Sequence, residues 1–265
     1  MYLMKIKISK TYKDFFNKIS SIGEIYLVGG FVRDAILGIN NSDIDIAVSK
    51  SALNNILKFS EELGYPVNYD GLKFGVGTVF LSKNDKLDVA MFRSEFYNEN
   101  SRKPITDAID NIIDDLSRRD FTINSIAINY NSGEIIDPFG GILDIQNKIL
   151  NCVGNPDERF SEDPLRMLRG IRFASKYKLS ITSQTNDAIK RNLYRLEIIS
   201  SERIREELLK GLKNNPKTYF RLLEKSGLLY QIFEEYKGAE FIKDDQRGRH
   251  HNETLIEHID EILDD

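Results

Sequence analysis

Between Leu27 and Val48 an apolar run ends in Gly29 and Gly30, a short helix-like segment follows, and Asp43 and Asp45 then alternate with Ile44 and Ile46. Side chains two apart on a strand project from one face, so the two carboxylates point together while the isoleucines point into a core. Two acids on one face repel. Their pairing makes sense where a hard divalent cation sits between them, since Mg²⁺ takes oxygen ligands and commonly binds one or two carboxylates together with substrate phosphates. Glycines without Cβ would let the backbone close on a triphosphate whose oxygens seek N–H donors. Each half also has an ordinary reading, because an Asp-x-Asp strand is commonly a solvated face and a Gly pair a turn.

The chain of 265 residues is long enough for two packed units and a tail. A hydrophobic fraction of 41% and a charged fraction of 29% describe a soluble globular protein. There is neither an apolar run of transmembrane length nor a basic start leading into a signal-like core, which predicts a cytoplasmic protein with no membrane partner. Cys152 is the only cysteine, so an internal disulfide and a cysteine zinc cluster are both excluded, and its apolar, strand-like context predicts an inert thiol. The net charge of −4 is unevenly spread: residues 164–225 hold 15 Lys and Arg against 6 Asp and Glu, and residues 226–265 hold 4 against 11. An acidic front that holds metal and a basic rear suit an enzyme acting on a polyanion, where Lys and Arg replace condensed counterions. For any single Lys, a solvated helix face explains the charge equally well.

Strand-like segments are predicted at Glu24–Val28, Asp43–Val48, Val76–Leu81 and Lys86–Phe92, with helices at Phe31–Leu37 and Ala52–Leu63. After Pro156 apolar residues recur every three or four positions through Leu165, Leu168, Ile171 and Ala174, then in Ile198–Leu212 and Tyr219–Leu229, so the rear reads as stacked helices. The expected architecture is α+β: a mixed sheet with flanking helices over residues 1–150, whose strand–Gly-Gly–helix–strand–Asp-x-Asp order resembles a nucleotidyltransferase palm, then an all-helical body over 151–230 and a tail over 231–265. Asp88 lies in the strand-like Lys86–Phe92 run. On a strand beside Asp43 and Asp45 it becomes a third candidate metal ligand, and the alternative is an exposed edge-strand acid.

Five blocks carry a family resemblance: the Gly29–Val48 stretch, Asp115–Ala127, Ile136–Asp144, Arg159–Phe173 and Ser201–Leu209. In this order, over roughly residues 22–230, they resemble the class II tRNA nucleotidyltransferases, the bacterial-type CCA-adding enzymes, and the related bacterial poly(A) polymerases. The resemblance implies that Gly29, Gly30, Arg33 and Asp34 surround the triphosphate and that Asp43 and Asp45 ligate Mg²⁺. It assigns Arg118, Arg119, Asp120 and Asn124 to the ribose; a carboxylate acceptor beside an amide suits a 2′-hydroxyl, which both donates and accepts. It assigns Asp163 and Arg166 to the incoming base. Three apart on a helix, they would share a face and offer an acceptor and a forked donor side by side, the alternative being a surface ion pair. Arg169 and Arg172 continue that helix toward phosphate or primer, while Glu202, Arg203 and Glu206 are expected to brace helices.

The reaction implied is attack of an RNA 3′-hydroxyl on the α-phosphate of CTP or ATP, with pyrophosphate leaving and tRNA as partner. Full CCA addition is preferred over A-only addition, because no basic-aromatic signature follows the Gly block. It is preferred over CC-only addition because the stretch 93–104 is present. Two other readings stay open: a catalytically compromised RNA-binding relative, and a transferase acting on a small molecule or protein. In the tail, His250, His251, Glu253 and His258 resemble the opening of an HD phosphohydrolase domain whose later His-Asp pair this chain lacks.

Overall fold

The computed structural model describes residues 6–96, 105–237 and 262. The chain forms two compact units, Met1–Asn147 and Lys148–Asp265. The first opens with helix α1 (Lys10–Ile19), strand β1 (Tyr26–Val28), helix α2 (Gly29–Ile36), strand β2 (Ile44–Val48) and helix α3 (Lys50–Glu62). Strands β3 (Val67–Asn68), β4 (Val76–Phe80) and β5 (Lys86–Met91) follow, then the hairpin β6 (Arg93–Phe96) and β7 (Ile105–Ala108). Helix α4 (Ile112–Ser117), strands β8 (Ala127–Asn129) and β9 (Ile135–Ile136) and helix α5 (Gly141–Gln146) complete it.

Seven of these strands form one mixed sheet in the order β3-β4-β5-β2-β1-β8-β9. Only the β2–β5 contact is parallel. Alternation decides the faces. Ile44, Ile46 and Val48 on β2 and Leu87 and Val89 on β5 are buried, as are Phe15, Phe16 and Ile19 of α1 and Leu53, Ile56 and Leu57 of α3. Their neighbours in sequence, Asp45 and Asp88, turn to the opposite face. There a second apolar cluster of Tyr26, Val28, Ala47, Phe92, Ala127 and the α4 residues Ile112 and Leu116 anchors α4. The predicted strands and the two early helices recur within about two residues of their expected ends.

The second unit is helical, with α6 (Pro156–Glu162), α7 (Leu165–Tyr177), α8 (Ser183–Asn192), α9 (Ser201–Leu212), α10 (Pro216–Ser226) and α11 (Leu228–Ile232). Asn155 and Asn215 cap α6 and α10 ahead of Pro156 and Pro216, and Thr182 caps α8. The expected helical body also carries a short strand pair, β10 (Ile149–Leu150) running parallel to β11 (Ser180–Ile181). Two expectations need correction. The run Ile198–Leu212 is a 3₁₀ segment to Ile198 followed by α9 from Ser201. The run Tyr219–Leu229 is two helices, because Gly227 takes φ +83°, a left-handed conformation that ends α10. Cys152 is buried, as its apolar context predicts. The residues His250, His251, Glu253 and His258 lie outside the described residues, as does most of the stretch 93–104.

Candidate active site

Sheet register builds the acidic centre. Asp45 on β2 stands directly opposite Asp88 on β5, and Asp43 precedes β2 by one residue. The next strand contributes Thr78, the cross-strand partner of Asp88, whose hydroxyl donates to Asp88 Oδ1 at 2.5 Å. Lys86 Nζ lies 3.8 Å from Asp88 Oδ2. Burial, followed by the charges of Asp43 and Asp88, pushes the Asp45 carboxyl up from 3.8 to about 6, against the opposing pull of Arg119 and Lys86. Mutual repulsion among carboxylates, in a fold that nonetheless brings them together, is the electrostatic signature of a cation site. Oxygen-only donors fit a hard divalent ion. Among the described residues no three His, Cys, Asp or Glu side chains close into a ligand shell, so the acids share one region without converging on a point.

Beside them lies the glycine turn. Gly29 has φ +68°, and a Cβ there would sit 3.4 Å from Arg119 Nη1 and 3.9 Å from Asp45 Oδ2. Its bare backbone thus lies against both a guanidinium and a carboxylate. Arg119 is oriented by Asp115, whose Oδ2 accepts from Nη2 at 3.0 Å, and its Nη1 reaches the Asn124 carbonyl at 3.4 Å. Among the described residues the Arg119 Nε is buried without a hydrogen-bond partner. A guanidinium with a buried, unsatisfied N–H, whose Nη1 lies against half-buried glycine backbone, suits an anionic oxygen. Gly29→Ala is expected to destabilise the protein by about 1–2 kcal/mol through left-handed strain and to weaken NTP binding at least about tenfold. Gly38→Ala is the control, because Gly38 has φ +72° with open space around it. It should show the strain in a denaturant melt and no loss of affinity by calorimetry.

Asp115 escaped the sequence reading. It sits on α4, almost wholly buried, and also accepts from Arg118 Nη2 at 2.7 Å and from the Arg93 amide at 3.2 Å. Burial alone would raise its pKa, but the Arg119 and Arg118 guanidiniums and their hydrogen bonds hold it below the ordinary carboxylate range. The signal was present as the i,i+3 and i,i+4 spacing of Asp115 to the two arginines.

Arg33 and Asp34 lie in the interior beside the glycine turn. Both are buried, at 6% and 3% exposure, and Arg33 Nη2 lies 2.8 Å from Asp34 Oδ1 while Asn41 Nδ2 donates to Asp34 Oδ2 at 2.8 Å. Arg33 Nη1 donates to Asn124 Oδ1 at 2.6 Å, and Asn124 Nδ2 donates to Asp120 Oδ1 at 3.0 Å. Arg33, Asp34, Asn124 and Asp120 form one buried network under the glycine turn, joined at its edge by the half-buried Asn41, and in it Arg33 orients Asn124. Gly30 lies directly above it, a Cβ there meeting Arg33 Nη2 at 3.3 Å.

In the second unit the helical juxtaposition expected for Asp163 and Arg166 is not formed. Asp163 ends α6 in extended backbone (φ −141°, ψ 101°), and Pro164 starts the next helix, because a residue before proline is pushed out of the helical region. Its carboxylate accepts from the Leu165 amide at 3.1 Å and from Arg203 Nη2 at 3.1 Å. Arg166 instead pairs with Glu162, one turn earlier, at 2.5 Å. Arg172 Nε donates to the buried Glu207 at 2.7 Å, with its guanidinium 4.3 Å from the Phe173 ring centroid. Arg169 lies over the same ring at 5.4 Å. Arg203 joins α9 to Asp163 as a brace, and Glu207 was missed.

Known proteins show the same organisation. Residues 25–151 match the Poly A polymerase head domain, and residues 178–239 match the Probable RNA and SrmB-binding site of polymerase A. The chain is 39% identical over 189 residues to the CCA-adding enzyme of Lactobacillus helveticus, covering 71% of this chain and 45% of that one. It matches the structure of the Bacillus stearothermophilus CCA-adding enzyme in complex with CTP at 32% identity and TM-score 0.72, over 83% of this chain and 53% of that one. The Thermotoga maritima CCA-adding enzyme complexed with tRNA matches at 30% identity and TM-score 0.73, over 88% and 55%. The chain spans about half the length of the curated relatives it matches. With the palm sheet, its aligned carboxylates and both domain matches in the family's order, the chain belongs to the class II family of tRNA nucleotidyltransferases and poly(A) polymerases.

Proposed function

We propose that the chain is a cytoplasmic, metal-dependent nucleotidyltransferase that adds C and A residues to tRNA 3′ ends from CTP and ATP, with release of pyrophosphate. The observation that carries this reading is the alignment of Asp45 with Asp88, next to Asp43 and beside the Gly29 backbone and Arg119. CCA-adding relatives with CTP and with tRNA bound support the choice of substrates.

Asp43, Asp45 and Asp88 would hold Mg²⁺, which when bound neutralises phosphate charge and favours in-line displacement. The Gly29 and Gly30 backbone and Arg119 bind triphosphate oxygens, and Asp115 keeps Arg118 and Arg119 aimed. Arg33 and Asp34 support the turn from below. Asp120 and Asn124 meet the ribose 2′-hydroxyl, while Asp163 and Arg166 read the base edge. The RNA 3′-hydroxyl attacks the α-phosphate, the bond to the β-phosphate oxygen breaks and pyrophosphate leaves. Positioning accounts for most of the catalysis, and no covalent intermediate is needed. The head, residues 1–150, supplies metal and triphosphate contacts. The helical unit, with Arg169 and the surrounding Lys and Arg excess, grips the tRNA backbone.

The test is incubation with tRNA lacking its 3′ end, Mg²⁺ and each labelled NTP in turn. Sequential C and A incorporation, abolished by EDTA, is expected; incorporation of A alone would identify a poly(A)-type or A-adding enzyme instead. Asp163→Ala should reduce the preference for CTP and ATP over UTP and GTP by about tenfold, since Arg166 keeps its donors but the base loses its acceptor. An unchanged order of preference with uniformly lower rates would exclude Asp163 from base reading.

A further inference from the structure

The run Asp137–Asp144 has no part in the chemistry above, yet it is bound tightly to the turn that carries Asn124. Thr122, Ile123 and Asn124 form a single 3₁₀ turn in which Thr122 is almost wholly buried. Its hydroxyl donates to Asp144 Oδ2 at 2.6 Å, across 22 residues of chain. Gly141 packs so closely on the same residue that a Cβ would run into the Thr122 carbonyl. That carbonyl already accepts from the Ser125 amide at 2.9 Å, closing the turn. Asp137 locks the other side: its two carboxylate oxygens accept from the Gly141 amide at 2.7 Å and the Ile142 amide at 2.9 Å. Gly140, at φ +73°, lets the chain reverse between Asp137 and α5.

We propose that Asp137, Gly141 and Asp144 are positioning residues for sugar selection, a brace that fixes the Thr122–Asn124 turn so that Asn124 and Asp120 present one arrangement to the ribose. The inference rests on the reading of Asp120 and Asn124 as the ribose contacts. Arg33 holds Asn124 Oδ1 from one side, and the brace holds its backbone from the other. A 2′-hydroxyl is distinguished from hydrogen only by groups held at hydrogen-bond distance, so a turn loosened by even part of an ångström loses the contact that ribose makes and deoxyribose does not. Loss of the brace therefore affects ribonucleotides selectively, whereas the metal ligands on β2 and β5 keep their support from the sheet.

The test compares kcat/KM for CTP and dCTP on tRNA lacking its 3′ end in the full chain and in four variants. Asn124→Ala checks the underlying reading and must lower the CTP-to-dCTP ratio; an unchanged ratio there places the sugar contact elsewhere and overturns that reading and the brace with it. Where Asn124→Ala does lower the ratio, Thr122→Val and Asp144→Ala are expected to lower it about five- to tenfold, through loss on CTP with dCTP unchanged. Thr122→Ser, which keeps the hydroxyl, should retain the wild-type ratio. If Thr122→Val and Asp144→Ala keep the wild-type ratio, or slow CTP and dCTP equally, the run from Asp137 to Asp144 is a structural support alone and the proposal fails.

Discussion

Asp45→Asn is expected to make the metal-free protein more stable at neutral pH while removing nucleotide addition. Burial and the charges of Asp43 and Asp88 penalise the ionised form and push the wild-type carboxyl up from the ordinary 3.8 to about 6 in the folded state. The folded state therefore binds more protons than the unfolded one between these values, and wild-type stability falls as pH rises through that window. An amide carries no such penalty. In EDTA at pH 7.5 the variant should be more stable by about 1–3 kcal/mol, with the difference vanishing near pH 4, as read from urea midpoints. Turnover should fall at least about a thousandfold, since an uncharged oxygen is a poor ligand for a hard cation. A variant less stable than wild type at pH 7.5 in EDTA would show that Asp45 is held by protein partners rather than reserved for metal.

The second large effect lies in the helical unit. Arg172→Ala should destabilise it by about 3 kcal/mol, because Glu207 is only 4% exposed and would be left as a buried charge with its main partner gone. Burial alone would raise the Glu207 pKa, but Arg172 foremost, then Arg169 and Lys210, hold it below the ordinary range. The pair thus stabilises the fold above the ordinary glutamate pKa of 4.5, and that contribution disappears as pH falls through the lower folded value. Arg172→Ala should reverse the dependence, gaining relative stability in acid as Glu207 takes up a proton. Glu207→Gln added to Arg172→Ala should recover at least about 1 kcal/mol, since a neutral amide is less costly to bury. The melting midpoints of the single and double variants check both statements.

The sheet was legible because its strands follow simple alternation. Ile44 and Ile46 bracket Asp45 as Leu87 and Val89 bracket Asp88, and the same period that buries the apolar set turns the half-buried acids to the opposite face. Strands of two residues such as β3 and β9 have no period to read. Asp163 and Arg166 were placed together by helical spacing, which Pro164 interrupts. The resemblance set Arg33 and Asp34 around the triphosphate, and nothing in their spacing showed that they also pair with each other in the interior, which only the fold reveals. Glu207 stands on the α9 stripe with Ile204, Leu208 and Gly211, and an acid on that stripe was the available sign of a buried ion pair. Surrounded by Glu202, Arg203, Arg205 and Glu206, it did not stand out from a charged surface.

The parallel alignment of β2 with β5 also determines where this fold tolerates changes in length. The two acids arrive from segments separated by a helix and a hairpin, so residues can be added in the intervening loops, at the Ser82–Asp85 turn for instance, without moving Asp88 from its place opposite Asp45. Removing Leu87 by itself would force a choice between setting Asp88 out of line with Asp45 and turning the apolar side of β5 to water. Grafts, circular permutations and loop exchanges in the head thus have wide latitude between the strands, and none within these two.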